Sequence, residues 1–305
     1  MAAKAIASLG IEAVDDWDKE FASYKRDAEA GDAQAQYNLG TCYCNGYGVA
    51  VDKAEAVTWY KRAANAGHAQ AQYNLGICFA DGDGVAVDKA EAVKWYKRAA
   101  EAGDAKAQFY LGICYDDGDG AAVDKAEAVK WYKRAADVGH AGAQYILGVS
   151  LSKGDGISVD KAEAVKWYKR AADVGHEGAQ YNLGVCYADG SGVAVDKTEA
   201  FKWYKRAAEV GHAMAQYNLG NSYFHGYGLA VYNAEAVKWF KRAAEAGYTE
   251  AQYNLGVCYY KGDGVTIDKA EAVKWWKRAA DAGHAVAPMT VHRLRTSHID
   301  MFNSS

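Results

Sequence analysis

Several residue patterns in this chain have types and spacings that can carry chemistry. Ser150-Leu151-Ser152-Lys153 reads as Ser-x-x-Lys, the spacing that sets a lysine one helical turn from a serine nucleophile for acyl transfer. Neither Ser-Asp-Asn nor Lys-Thr-Gly accompanies it, and Ser150 stands in a column otherwise held by cysteine. His176-Glu177 opens like a zinc-protease helix, yet Gln180 stands where the second histidine ligand is required. Asp81-Gly82-Asp83-Gly84 and Asp117-Gly118-Asp119-Gly120 alternate carboxylates with glycine as calcium loops do. Aligning Gly84 on the essential loop glycine puts Phe79 at the first ligand position and Ala90 at the final glutamate position, so both ends fail. His68, His140, His176, His212 and His284 form one recurring column, whose members stand about 10 Å apart if they follow stacked helices, too far to share a metal. No catalytic, cofactor-binding or metal-binding residue is expected: the aspartates and glycines read as turns, the histidines as helix starts.

The elements that position these residues recur at a fixed interval. Gly31, Gly67, Gly103, Gly139, Gly175, Gly211 and Gly247 each open a copy of the pattern Gly-x-x-x-Ala-Gln-Tyr-Asn-Leu-Gly, 36 residues apart without insertion or deletion. Seven full copies cover 31–66, 67–102, 103–138, 139–174, 175–210, 211–246 and 247–282. Residues 12–30 resemble the second half of a copy, so 1–30 is expected to be an N-terminal half-repeat cap. Residues 283–305 are expected to be a degenerate C-terminal cap and tail, mobile beyond Arg295, leaving the last helix pair less well covered. Self-similarity of this kind predicts one quasi-linear array in which each unit packs on its neighbours.

Residues 67–102 serve as the specimen. His68 can cap a helix A from Ala69 to Ala80, whose Ala71, Leu75, Cys78 and Phe79 fall at the spacing of a buried stripe. Asp88 starts a helix B in which Ala92, Trp95, Tyr96, Ala99 and Ala100 face inward, and Gly103 ends it. Gly76 is anomalous, because a mid-helix glycine costs roughly 1 kcal/mol relative to alanine. It recurs at Gly40, Gly112, Gly148, Gly184, Gly220 and Gly256, which predicts that an aromatic ring or another backbone comes close there. The tryptophan column from Trp59 to Trp275 reads as core.

Half of the residues are hydrophobic, yet no apolar segment reaches the length of a membrane span, and the N-terminus lacks a basic segment followed by a long apolar core. A soluble, cytoplasmic chain is expected. The net charge of -4 gives no general attraction to nucleic acid or anionic lipid. Cys42, Cys78, Cys114, Cys186 and Cys258 share one column and are expected to be unpaired, buried thiols.

The motifs AQYNLG, then G-x-G-V, then DKAEAVKWYKRAA with a closing glycine resemble the Sel-1-like repeat family, relatives of the tetratricopeptide repeat. The period of 36 residues, against 34 for the tetratricopeptide unit, separates the two. The resemblance implies an all-α fold, an alpha-alpha superhelix of antiparallel helix pairs with A helices on the concave side. It also implies a non-catalytic scaffold or adaptor for protein partners. Three features depart from the family's pattern. Ala50, Ala86, Ala122, Ser158, Ala194, Ala230 and Thr266 stand where many members have proline; the second cysteine of secreted members is missing; the only proline is Pro288. Some secreted relatives are linked to penicillin binding, which makes a penicillin-binding or β-lactamase-like activity the alternative of a different class.

Positions 4, 8, 11 and 15 of the repeat vary most and form one exposed stripe on helix A. Position 8 holds Asn38, Asn74, Tyr110, Ile146, Asn182, Asn218 and Asn254. Primary amides carry both donor and acceptor, so this ladder can pair with an extended peptide while its apolar gap accepts a side chain. The same amides can instead bond neighbouring A helices. On helix B the columns of Lys94, Lys97 and Arg98 are broken only by Thr58, which raises nucleic-acid binding as a second alternative. The columns of Asp88, Glu91 and Glu101 balance them, so a protein or peptide is the expected partner and nucleic acid is not.

Overall fold

The computed structural model describes residues 14–289; the expectation for the segment beyond Arg295 lies outside them. The described residues form helices and no strand, and the fold is all-α. A 16-residue helix, Val14–Glu29, takes the place of a B helix ahead of the first pair. A and B helices of 13 residues each then alternate.

The contacts divide the chain into two compact units, meeting between Val159 and Asp160. The first contains Val14–Glu29, three complete pairs (Ala33–Asn45 with Lys53–Asn65, Ala69–Asp81 with Lys89–Glu101, Ala105–Asp117 with Lys125–Asp137) and the A helix Ala141–Lys153. The second contains the B helix Lys161–Asp173, then Glu177–Asp189 with Lys197–Glu209, Ala213–His225 with Asn233–Glu245, and Thr249–Lys261 with Lys269–Asp281. Within each unit every helix packs on the next, a solenoid of antiparallel pairs. The Asp88 N–H donates to the Phe79 carbonyl beside the loop while Gly76 meets Tyr96 at mid-length, as antiparallel helices require.

The helix ends follow from the residues present. Asp88 accepts from the Glu91 N–H, and His68 uses Nδ1 to accept from the Ala71 N–H at 3.2 Å. Gly103 follows the Ala102 cap of the B helix at φ 93°, outside the range comfortable for side chains. Most of the specimen stripe is buried as its spacing predicts: Leu75, Ala71 and Ala99 are fully enclosed, with Trp95 and Tyr96 beside them, while Phe79 is only half-buried.

Gly76 has a steric reason. A Cβ there would stand 2.5 Å from Cδ1 and Cε1 of Tyr96, well inside van der Waals contact. Phe240 and Trp276 play the part of Tyr96 against Gly220 and Gly256. Gly84 answers to a different constraint: at φ 74° it lies so close to the preceding B helix that a Cβ would be 2.2 Å from the Lys53 carbonyl oxygen. The loop of one pair therefore rests on the first turn of the pair before.

Three contacts that join or dress the repeats are not evident from the periodicity. Lys53, Lys89 and Lys125 reach Asp83, Asp119 and Asp155 of the following loops at 3.1, 2.6 and 3.1 Å. Gln72 donates its amide to the Ala64 carbonyl at 3.0 Å, tying an A helix to the end of the preceding B helix, as its six equivalents do. Arg98 lies 4.5 Å over the Trp95 ring, and each tryptophan of the column carries its own arginine. At the C-terminal end Ala280 is only half-buried where Ala64 and Ala100 are buried. Trp275 and Trp276 stay buried, because they pack against the Thr249–Lys261 helix and the pair before it.

Candidate functional site

The A-helix face of the first unit carries Asn38, Asn74 and Ile146 half-buried, with Tyr110 at 40% exposure. The Asn38 side-chain oxygen Oδ1 accepts from the Gln34 side-chain amide at 3.0 Å, and both residues line a shallow 510 Å³ depression beside Tyr24 and Asp27. The Asn74 amide lies beside the buried Tyr60 hydroxyl of the preceding pair, which shares a hydrogen bond with Thr41 at 3.3 Å. Tyr110 replaces that amide with a ring, packed 5.7 Å from Tyr73 and 5.8 Å from Tyr96. Ile77, Ile113 and Val149 flank it, half-buried.

In the second unit Asn182, Asn218 and Asn254 are half-buried. Asn218 lies beside the hydroxyls of Tyr181 and Tyr204, whose acidities burial lowers, raising both pKa values so that the phenols remain neutral. Asn254 donates to the Tyr217 hydroxyl at 3.4 Å. Asn218 also lines a cavity of 330 Å³ between the Glu177–Asp189 and Ala213–His225 helices, walled by Tyr181, Tyr204 and Tyr227. Asn254 lines a second, of 160 Å³, with Phe224, Phe240 and Val257. The structure thus places the predicted amides on the A face, and several reach back to tyrosines of the preceding pair. Tyr181, Tyr204 and Tyr227 are not evident as site residues from the repeat pattern; Asn221 has no counterpart in the other copies, whereas Tyr227 and Ser222 match Tyr47 and Ser150.

The remaining chemical patterns resolve into structure. Ser150 is buried in the cysteine column, its carbonyl accepting from Gly154. His68, His140, His176 and His212 are helix caps, each accepting a backbone N–H through Nδ1. Several rings stack on the aromatic residue one pair earlier, as His212 does on Tyr181 at 4.7 Å. Burial lowers the pKa values of His68, His176 and His212. Five cysteines are buried free thiols, and burial pushes Cys78 up to about 11 and Cys258 to about 12. On helix B, Lys94 pairs with Glu91 at 2.7 Å, a pairing repeated at Lys130, Lys166, Lys202, Lys238 and Lys274. Among the described residues no three metal-ligating side chains converge, and no helix is long and apolar enough to cross a membrane.

The Sel1 repeat family model matches residues 33–68, 69–104, 105–140, 141–176, 178–212, 213–248 and 249–284. The chain belongs to the Sel1 repeat family. Each matched segment opens two or three residues after a glycine that begins the period used above, so its first residues are the A-helix start. Among solved structures, a protective antigen present in uropathogenic Escherichia coli strains, displaying an SLR fold, superposes with a TM-score of 0.87 at 38% identity, over 90% of this chain and 59% of that one. This chain therefore spans little more than half of that relative's length. A Sel1 repeat protein from Oxalobacter formigenes gives a TM-score of 0.72 at 34% identity, over 93% of this chain and 82% of that one. No curated protein matches the sequence. Sel1 repeats share the tetratricopeptide-like architecture, a fold commonly used for protein–protein interaction.

Proposed function

We propose that this Sel1 repeat chain is a non-catalytic scaffold or adaptor that holds a protein or peptide segment against the A-helix face. The observation that carries the reading is the contrast between a nearly invariant core and a variable A face. Leu75, Leu111, Leu147, Leu183 and Leu219 repeat without change, while position 8 alternates amide, phenol and aliphatic side chains and position 4 passes from Gln70 to Lys106 to Met214. Packing holds the core residues alike from copy to copy, whereas a face that reads a partner differs with the segment each copy contacts. The cavities beside Asn38, Asn218 and Asn254 give that face relief for side chains to enter. The free, buried thiols support action in a reducing compartment such as the cytoplasm.

The B-helix face supports nucleic-acid binding less well. Its Lys94 column is paired with glutamate, and its arginines lie on tryptophan rings. The burial of Ser150 argues in the same way against β-lactam chemistry, because a nucleophile has to reach its substrate. The test is affinity capture with two double variants, Asn182→Ala with Asn218→Ala and Lys166→Ala with Lys169→Ala, after circular dichroism shows unchanged helicity. Partners lost only with the asparagine pair support the A face. Partners lost only with the lysine pair refute it.

A further inference from the structure

The sixth copy breaks the repeat pattern at neighbouring places. Position 11, Ile77, Ile113, Val149, Val185 and Val257 in five other copies and Thr41 in the first, becomes Asn221. Position 17, an aspartate at Asp83, Asp119, Asp155 and Asp263 and a serine at Ser191, is Tyr227 here, a tyrosine otherwise found only at Tyr47 of the first copy. The second change alters a lysine's partner. In the first unit the equivalent lysines pair with those aspartates, whereas Lys197 donates to the Ala188 carbonyl at 2.7 Å and lies 5.6 Å from the centre of the Tyr227 ring. Tyr227 becomes a wall of the 330 Å³ cavity, facing a space bounded also by Tyr181 and Tyr204. Asp189 lines the same cavity, and its exposed carboxylate has no side-chain hydrogen bond or ion pair among the described residues. The first change sets a primary amide between two cavities. Asn221 lines both this one and the 160 Å³ cavity beyond, whose walls are Phe224, Phe240 and Val257, and its amide has no hydrogen-bond partner among the described residues.

From this arrangement we infer that the second unit reads an extended peptide segment with an arginine in the tyrosine-walled cavity and a small aliphatic residue, two positions away, in the phenylalanine-walled one. The inference rests on the interaction reading above. Alternate side chains of an extended strand point the same way about 6.6 Å apart, which suits two cavities sharing one lining residue. The peptide group between them faces Asn221, whose amide can donate and accept at once. A guanidinium stacks on phenol rings and pairs with a carboxylate, and Asp189 is the carboxylate left without a partner. The Lys197 charge is already engaged by a carbonyl and a ring, so the cavity does not present it as an anion site. Phe224, Phe240, Val257 and Cys258 give a valine apolar contact, with His225 and Asn254 completing the wall.

The test uses the full chain and the fluorescently labelled peptide Ser-Arg-Ser-Val-Ser, amidated at its C-terminus, read by fluorescence polarisation. Partner peptides replace arginine by citrulline, its neutral isostere, or by glutamate. The wild type should bind the arginine peptide about tenfold more tightly than the citrulline peptide, the size of one charge-assisted hydrogen bond. Asp189→Asn should erase that preference while leaving citrulline-peptide binding unchanged. Asn221→Val, which restores the aliphatic type of its column, should weaken both peptides alike. Equal binding of arginine and citrulline peptides, reduced by Asn218→Ala, overturns this inference and leaves the A-face reading intact. Preference for the glutamate peptide overturns it in favour of Lys197 as the reading group. Binding of no peptide here, together with captured partners insensitive to the asparagine pair, defeats both.

Discussion

Gly76→Ala is the most direct perturbation of the packing. Two effects oppose each other. Alanine is favoured over glycine in a helix interior by about 1 kcal/mol. Its Cβ, however, would stand 2.5 Å from two ring atoms of Tyr96, which is 3% exposed and has little room to retreat. Bringing those contacts back to an ordinary 3.5 to 4.0 Å requires the ring or the helix to move by about 1 Å in a close-packed core. Overpacking of this kind costs roughly 1–3 kcal/mol, so the net effect should be a destabilisation of up to about 2 kcal/mol against the propensity gain. Tyr96→Ala removes the obstacle, and in that background Gly76→Ala should stabilise by about 1 kcal/mol. The assay is a double-mutant cycle from urea unfolding, followed by circular dichroism and tryptophan fluorescence, with amide exchange in 69–81 and 89–101 to localise the effect. If Gly76→Ala stabilises equally in both backgrounds, the ring is not the reason for the glycine.

Further outcomes follow from the caps, the thiols and the loop ion pairs. His68, His176 and His212 have pKa values below their ordinary 6.5 in the fold, so the unfolded chain binds protons more readily. Their contribution is complete above pH 6.5 and is lost as pH falls through the lower folded values. Replacing all three by aspartate, the cap already used at Asp32 and Asp104, should flatten the thermal-midpoint profile between pH 8 and 5; an unchanged profile contradicts the cap assignment. Native-state alkylation at pH 8, read by mass spectrometry, should modify half-buried Cys44 first and leave Cys78, Cys114 and Cys258 unmodified until unfolding, because burial holds those thiols at about 11 to 12. Asp119→Ala should lower stability by less than about 1 kcal/mol, with the difference shrinking at high salt, because both partners of Lys89–Asp119 are half exposed. A larger, salt-independent loss in thermal denaturation refutes that estimate.

Much of the helix pair was legible in residues 67–102. Asp88 and His68 are capping types, the Leu75 and Trp95 stripes fall at helical spacing, and Gly82 and Gly84 supply positive φ where a tight loop needs it. Gly76 could be recognised as a packing residue because its cost demands compensation. What periodicity does not contain is which residues of adjacent pairs come into register. That depends on the rotation between pairs, set jointly by all the packed side chains. Lys89 and Asp119 are thirty positions apart, and nothing in either column specifies that the lysine reaches forward into the next loop rather than along its own helix. The asparagine ladder illustrates the same limit. Its column was visible, but the tyrosine hydroxyls that Asn74 and Asn254 reach were not, because they belong to a different column of the preceding pair. The cavities beside Asn221 arise where one copy departs from its siblings, so their signal lay in exceptions to the pattern.

The central claim is that the variable A face holds the partner. Amide hydrogen exchange of the chain with and without a captured partner, resolved to single helices, tests it most directly. The account predicts slowed exchange in Glu177–Asp189 and Ala213–His225, with smaller change in the B helix Lys197–Glu209 between them. Protection concentrated in Lys161–Asp173 and Lys197–Glu209, and relieved by salt, would place the partner on the lysine and arginine columns and contradict the claim.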